Sequence, residues 1–453
     1  MKHRSVLALV LLLAACTHVP QRDASGDTPE VPAGWRTHAG REAPLALDWW
    51  NGFGDPVLTR LVEAALANNL DVATAAARVR EARAQEDLAR SQLFPTLDFS
   101  NSVNRGHTLN AFGQASTTTT RQRVFQAAYE VDLSGRIAEQ VSAAQAGTDA
   151  SEAARATAAL SVAADTATNY ITLRSADARL ILLEQTVVDR REALRVARER
   201  ADVGYTSDLE LHQAEAEYES TAQQVPATRL AIERLEHALA LLTGSAPRDI
   251  ARGRPLSALT QPPIPAGLPS DLMRRRPDIA QAESTLVAAD ATLASSRAQF
   301  LPSLRLTASL GRRAVSPLDP ITVWSLGASV LAPIYNGGRI QSQVDTAQAR
   351  REQAAYAYQR TVLTAFREVE DNLSAVVRTR EQRGHLQAQR TALADTLFHA
   401  GRRYRAGYSS YLEQLDAQRG VLAADLALIQ AATDELTALV ALSQAMGGGW
   451  TPD

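Results

Sequence analysis

Two hydrophobic periods alternate along this chain, with turn-forming residues wherever one gives way to the other. The longer period is helical. Within the proline-free stretch 136–225, Leu173, Leu180, Val187 and Leu194 fall seven apart, with Ala176, Leu183 and Ala197 at intervening positions. This is the seam of a helix packed lengthwise on other helices. It predicts one helix from Arg136 to about Asp202, on the order of 100 Å long and longer than a globular core needs. A second helix, Asp208 to Leu242, carries Val225, Ile232, Leu235, Leu239 and Leu242, and Pro226 predicts a bend or local unwinding within it. The proline-free stretch 334–451 offers Arg339 to Arg403 and Ser410 to Met446 as counterparts. Gly-Tyr turns separate the members of each pair, so both pairs read as antiparallel hairpins.

The shorter period is that of a strand. Leu97, Phe99 and Val103 alternate with Asp98, Ser100, Ser102 and Asn104. Phe125, Ala127, Tyr129, Val131 and Leu133 alternate with Gln126, Glu130 and Asp132. Leu304, Leu306, Ala308 and Leu310 do so with Arg305, Thr307 and Ser309, and Trp324, Leu326, Ala328 and Val330 with Ser325, Gly327 and Ser329. Runs of about ten residues with one apolar and one polar face suit a membrane β-barrel. Surface hairpins on a soluble core are the alternative, although helical hairpins are not obvious partners for such faces. Four strands are too few to close a barrel, since small barrels need about eight. Strands facing lipid must therefore find partners in other copies of the chain. The segments 111–120 and 314–320 read as loops at the strand tips.

Both patterns occur twice. Arg90-Ser91-Gln92-Leu93-Phe94-Pro95-Thr96-Leu97 recurs as Arg297-Ala298-Gln299-Phe300-Leu301-Pro302-Ser303-Leu304, and Gly135-Arg136-Ile137 as Gly338-Arg339-Ile340. Val203-Gly204-Tyr205-Thr206-Ser207 recurs as Ala406-Gly407-Tyr408-Ser409-Ser410, in the same order and at nearly constant separation. Ordered proline, glycine-arginine and glycine-tyrosine landmarks exclude chance similarity of alanine-rich helices. The chain is a tandem duplication, and the proline cluster of 247–277 marks the connection between its halves.

Composition then removes whole classes of function. Lys2 is the only lysine among 453 residues and Cys16 the only cysteine. An intrachain disulfide, a multi-cysteine zinc site, a Walker lysine and a lysine Schiff base are all excluded. A formal net charge of −3 gives no nucleic-acid footprint. The histidines are scattered, with no His-Glu-x-x-His pair, and His18, His38, His107, His212, His237, His385 and His399 read as solvated. Glu368, Glu370 and Asp371 read as a water-facing acidic group, and Arg274-Arg275-Arg276 as the start of a helix. No enzyme, cofactor or metal centre is predicted. At the N-terminus, Lys2, His3 and Arg4 precede an apolar run from Val6 to Leu13, too short to span a bilayer. The run ends in Leu13-Ala14-Ala15-Cys16, which resembles a bacterial lipobox and makes Cys16 the expected lipid attachment point. Thr17 follows it, where an aspartate would signal inner-membrane retention.

Several further motifs carry a family resemblance. Asp48-Trp49-Trp50-Asn51-Gly52-Phe53-Gly54-Asp55-Pro56, Arg275-Arg276-Pro277-Asp278-Ile279, Gly338-Arg339-Ile340, the run from Tyr411 to Arg419 and Gly447-Gly448-Gly449-Trp450 resemble the TolC-like outer-membrane efflux proteins. The lipoprotein branch of the OprM/NodT type, serving RND pumps, is the group resembled. The resemblance implies a mainly α protein with a membrane β-barrel portion. Each copy would give four strands to a trimeric, twelve-stranded outer-membrane barrel and its helices to a long periplasmic α-barrel. The expected division is a signal peptide at 1–15, a lipidated segment and equatorial belt at 16–56, and a first repeat at 57–243. An equatorial linker at 244–269, a second repeat at 270–446 and a tail at 447–453 follow. Strands are expected at about 96–108, 122–134, 303–312 and 322–332.

The implied function is that of an outer-membrane exit duct for small molecules, with a periplasmic adaptor (membrane fusion protein), an inner-membrane RND pump and outer-membrane lipid as partners. Protein secretion through the same architecture and a pore-free coiled-coil scaffold are the rival readings. The resemblance places adaptor docking at the hairpin tips, on Gly204, Tyr205, Ser207, Gly407, Tyr408 and Ser410. In each tip the glycine is expected to end one helix and the serine to cap the next. The resemblance places a periplasmic gate at Leu412 and Asp416, four apart on one helix face, with Arg419 able to pair with Asp416. Leu209 has Gln213 four residues on, so a charged gate belongs to the second hairpin alone.

Overall fold

The computed structural model describes residues 29–37, 46–109, 112–263, 269–316 and 318–450. Cys16, the leader at 1–15, His18 and His38 lie outside the described residues. In chain order the elements are α1 (Pro56–Asn68), α2 (Leu70–Ser91), β1 (Thr96–Leu109), β2 (Ala115–Val131), α3 (Arg136–Asp202), α4 (Asp208–Ala222) and α5 (Gln224–Leu242). They continue with α6 (Pro269–Arg275), α7 (Pro277–Ala298), β3 (Ser303–Val315), β4 (Ile321–Leu331), α8 (Arg339–Arg405) and α9 (Tyr411–Ala445). The chain forms two compact units, and α2, α3, α7 and α8 contribute residues to both.

The first unit contains the sheet. Its four strands are antiparallel in the order β1-β2-β3-β4, so β1 and β4 are both edges. The pairing is free of bulges, which keeps the apolar residues of every strand on one face. Phe99 lies opposite Phe125, Phe125 opposite Leu310, and Leu310 opposite Trp324. Leu97, Ala127, Ala308 and Leu326 form the next row, and Tyr129, Leu306 and Ala328 the row after that. This face is open: Trp324 is 75% and Leu326 80% exposed. The other face carries Asp98, Ser100, Gln126, Glu130, Arg305, Thr307 and Ser309, a polar set. Gly311 permits close strand approach there, since a Cβ added to it would lie 2.1 Å from the Arg123 carbonyl oxygen.

The strands run further than the apolar alternation does. β2 begins at Ala115 and β3 reaches Val315, so both tip connections are shorter than the 111–120 and 314–320 loops expected from sequence. β2 also ends at Val131, short of 134. Pairing continues through Ser116 to Thr120 because backbone hydrogen bonds need no apolar side chain.

The second unit is helical. Its seam buries Leu173, Leu183, Leu194 and Ala197, while Leu180, Val187 and Ala176 are half-buried. The expected 208–242 helix is two, α4 and α5, breaking at Gln223. The cause lies three residues later, because Pro226 cannot bond back to the Ala222 carbonyl and its ring crowds that oxygen. The segments before α1 and after α5 are pinned together by a buried network around Asp55, the N-cap of α1. Its carboxylate accepts from Val57 N at 2.8 Å, Tyr170 Oη at 2.7 Å and Arg254 N at 2.9 Å, while Gly253 N donates to Tyr170 Oη at 3.0 Å. A side chain at position 253 would fall within 2.1 Å of the Asp55 carboxylate. Burial and the bond to Asp55 push the Tyr170 phenol well above its ordinary value, so it remains a donor.

Two charged groups differ from the sequence reading. The triple arginine ends a helix rather than starting one: Arg274 and Arg275 close α6, and Arg276 sits between α6 and α7. Buried Arg276 binds Asp278 at 2.6 Å, Glu368 at 2.8 Å and the Ala445 carbonyl at 2.9 Å. Glu368 is therefore an internal partner, and only Asp371 of the acidic group is strongly exposed with a distant i,i+4 arginine.

Candidate functional site at the hairpin tips

The tips of the two helical hairpins are built alike. Gly204 and Gly407 adopt φ of +69° and +76°, the left-handed conformation that ends a helix without a Cβ penalty. The amides of Tyr205 and Tyr408 then return to the carbonyls of Arg200 and Arg403, at 2.8 and 2.9 Å. Ser207 and Ser410 occupy the N-cap positions in extended conformation, but neither side chain makes a capping bond. The expected serine caps are thus positional only, and the Ser207 carbonyl receives the Glu210 amide at 3.0 Å. Tyr205 and Tyr408 project into the open, both more than three-quarters exposed. Behind them, Thr206 Oγ1 and Ser409 Oγ, equivalent in the two repeats, are buried without a hydrogen-bond partner among the described residues.

Just inside the tips the two hairpins interlock. Leu194, Ala197, Ala214, Tyr411 and Leu415 form one apolar cluster, with Leu211, Tyr218 and Tyr404 packed against it. Tyr404 and Tyr411 are 5.6 Å apart, and the Arg200 guanidinium lies 5.5 Å from the Tyr404 ring centre. Arg200 donates to Tyr404 Oη at 3.1 Å, and Tyr404 Oη donates to Glu210 at 3.3 Å. Burial raises the pKa of both phenols above the ordinary value, holding them neutral.

The carboxylate of Glu217 on α4 joins three helices. Arg419 on α9 donates from Nε at 2.6 Å, and Arg190 on α3 approaches at 3.5 Å. Arg190 also donates to Gln418 at 2.5 Å. The Arg190 side chain is only 4% exposed, whereas that of Arg419 is 52% exposed. The hydrogen bond to Glu217 raises Arg419 above its ordinary value.

The expected gate residues share this region on different terms. Leu412 and Asp416 lie on one side of α9 and are exposed, Asp416 by 65%. Arg419 does meet Asp416, at 3.6 Å, but its shorter bond is to Glu217. Arg419 is therefore first a link between hairpins and only second a counter-ion to Asp416. Glu217 and Arg190 went unnoticed in the sequence reading, although a signal existed. Ala176, Leu183 and Ala197 leave one vacancy in their seven-residue series, and Arg190 fills it. A charged residue on an apolar seam demands a buried partner. Among the described residues no group of three or more histidines, cysteines or carboxylates could hold a metal ion. Described histidines at 212, 237, 385 and 399 are exposed.

Comparison with known proteins agrees with this architecture. A sequence model of the family described as "Outer membrane efflux protein" matches residues 61–245 and 268–448, one match per repeat. The solvent efflux pump outer membrane protein SrpC of Pseudomonas putida is 34% identical, over 100% of this chain and 99% of its own length. The pyoverdine export outer membrane protein OpmQ of Pseudomonas aeruginosa is 33% identical, over 100% of this chain and 98% of its own. Among solved structures, the CmeC outer membrane channel of Campylobacter jejuni superimposes with a TM-score of 0.86 at 27% identity, covering 96% of this chain and 94% of that one.

Proposed function

The chain belongs to the outer membrane efflux protein family, and from that premise we propose that three copies assemble into the exit duct of a tripartite efflux pump. The protein is an outer-membrane efflux channel with a TolC-like fold, in a family of transport ducts rather than of enzymes. In the proposed trimer each copy supplies four strands to a twelve-stranded barrel. The carrying observation is the sheet with one open apolar face and two unpaired edges, in a chain that also holds two helices of 67 residues each. Lipid satisfies the face, and only further strands satisfy the edges. A pore-free scaffold would have no use for either.

Cys16 would carry the lipid anchor. The duct takes cargo from an inner-membrane RND transporter through a periplasmic adaptor and performs no chemistry itself. Its relatives' names point to solvents, antibiotics and pyoverdine, so we assign small molecules as the cargo class. The adaptor would dock on the tips, at Gly204, Tyr205, Ser207, Gly407, Tyr408 and Ser410. Two exposed tyrosines, which gain from being covered, and two buried hydroxyls without a partner among the described residues, which would gain from a polar group brought to them, support that reading.

The gate would lie at Leu412 and Asp416, repeated three times about the axis. Three carboxylates close together repel one another and favour cations. The Glu217 clasp would hold the two hairpins of each copy together and keep the constriction narrow. Planar-bilayer recording of the purified protein tests the duct: conductance from a trimeric species is expected, and a protein forming neither trimer nor channel refutes it. Asp416→Ala is expected to raise conductance, and an unchanged channel removes Asp416 from the gate.

A further inference from the structure

The sheet carries a second chemical pattern on its apolar face, beyond the aromatic row. One step along the strands from Phe99, Phe125, Leu310 and Trp324 comes the row Asn101, Arg123, Arg312, Thr322. The next row holds Val103, Arg121 and Ala314, and the one after it pairs Arg105 with Thr119. Because the register is unbroken, these arginines share the face of the apolar residues. All four are exposed. No aspartate or glutamate occurs on that face of any strand; Asp98 and Glu130 lie on the other. None of the four arginines has a carboxylate within salt-bridge distance among the described residues.

This placement has an energetic cost. Arg123 and Arg312 are directly opposite each other, and like charges directly opposite in a sheet are destabilising. The row lies two residues beyond the aromatics, about 7 Å along the strand. Aromatic side chains mark the membrane–water interface of such barrels, so the guanidinium groups fall at headgroup level. The strand ends that carry them are those joined by the short tip connections, remote from the ends that enter helices. If the helices are periplasmic, as proposed above, the arginines face the outer leaflet.

We propose that Arg121, Arg123 and Arg312 form an outward collar that binds phosphate groups of an anionic glycolipid in the outer leaflet. Guanidinium presents a planar fork that engages phosphate oxygens in pairs. A phosphate set between Arg123 and Arg312 turns a repulsive pair into two attractive contacts. Charge complementarity and continuity with the apolar band select lipid over a free anion, because acyl chains would lie on Leu310, Leu326 and Trp324 while the headgroup meets the arginines. The inference rests on the outer-membrane channel reading.

The test uses the full-length channel in phosphatidylcholine nanodiscs, titrated with lipopolysaccharide in phosphorylated and enzymatically dephosphorylated forms. Binding is read by native mass spectrometry and by the rise in melting temperature. The parent is expected to prefer the phosphorylated form, and Arg121→Gln/Arg123→Gln/Arg312→Gln to bind it on the order of tenfold more weakly. Arg313→Gln, on the opposite face, is expected to behave as the parent. If the triple variant yields no conducting channel, the single Arg312→Gln variant decides by the same measurement. Equal binding of both lipid forms by a conducting parent overturns the collar alone, as does undiminished binding by a conducting variant. A parent that forms no channel overturns the reading beneath it.

Discussion

The Glu217 clasp makes a quantitative prediction because its two arginines sit in different surroundings. Removing Arg419 deletes a hydrogen-bonded pair whose cationic partner is half-exposed. Solvent screening limits that loss to about 1 kcal/mol. Glu217→Gln is different in kind. It strands the Arg190 guanidinium, almost wholly buried, with Gln418 as its remaining short contact. Breaking a buried pair from one side costs about 3–5 kcal/mol. Since about 1.4 kcal/mol is a factor of ten, Arg419→Gln should shift the latched-to-unlatched ratio about fivefold and Glu217→Gln on the order of a hundredfold or more. Single-channel recording reads the ratio as time spent in high-conductance states, and thermal melting reads the stability loss. Arg190→Met/Glu217→Met separates the two, because an apolar pair of similar volume restores stability without restoring the link to Arg419. An Arg419→Gln effect equal to or larger than that of Glu217→Gln refutes the argument.

Three further outcomes follow from single contacts. Tyr170→Phe should cost about 1–3 kcal/mol, leaving the Gly253 amide without its acceptor and Asp55 short of one donor, as measured by the melting transition. Arg276→Gln should cost about 1–3 kcal/mol by leaving Asp278 and Glu368, each about a third exposed, without their shared cation, read by denaturant titration. Gly311→Ala should lower the thermal stability of the assembled barrel by about 2 kcal/mol or more, because its Cβ would collide with the Arg123 carbonyl; an unchanged melting temperature would show that the strands can part there.

Legibility in the sequence followed the source of each constraint. The 136–202 helix was legible from end to end because Gly135 and Gly204 bound it and no proline interrupts it. Strand identity was equally clear where apolar and polar residues alternate. Strand ends were not, because Ser116 to Thr120 pairs through its backbone alone and leaves no side-chain pattern. The split at Gln223 was legible as a bend, since proline acts on the turn before it. Partners of charged residues were the least legible. Arg276 meets Glu368 across 92 positions, and Arg419 meets Glu217 across 202. The nearer Asp416, three positions away, was the natural guess for Arg419, and tertiary packing preferred the more buried carboxylate.

The unpaired edges of β1 and β4 carry a genetic consequence. If each edge must be closed by a neighbouring copy, a defect at one edge is not confined to the chain that bears it. In the proposed trimer, one faulty subunit would spoil the ring for two sound ones. With equal expression of sound and edge-damaged chains and random mixing, only about one trimer in eight would be free of damage. An allele altered at the β1 or β4 edge should therefore behave as dominant over the normal copy, whereas loss of the Glu217 clasp would open the channel only in proportion to the altered chains each ring contains.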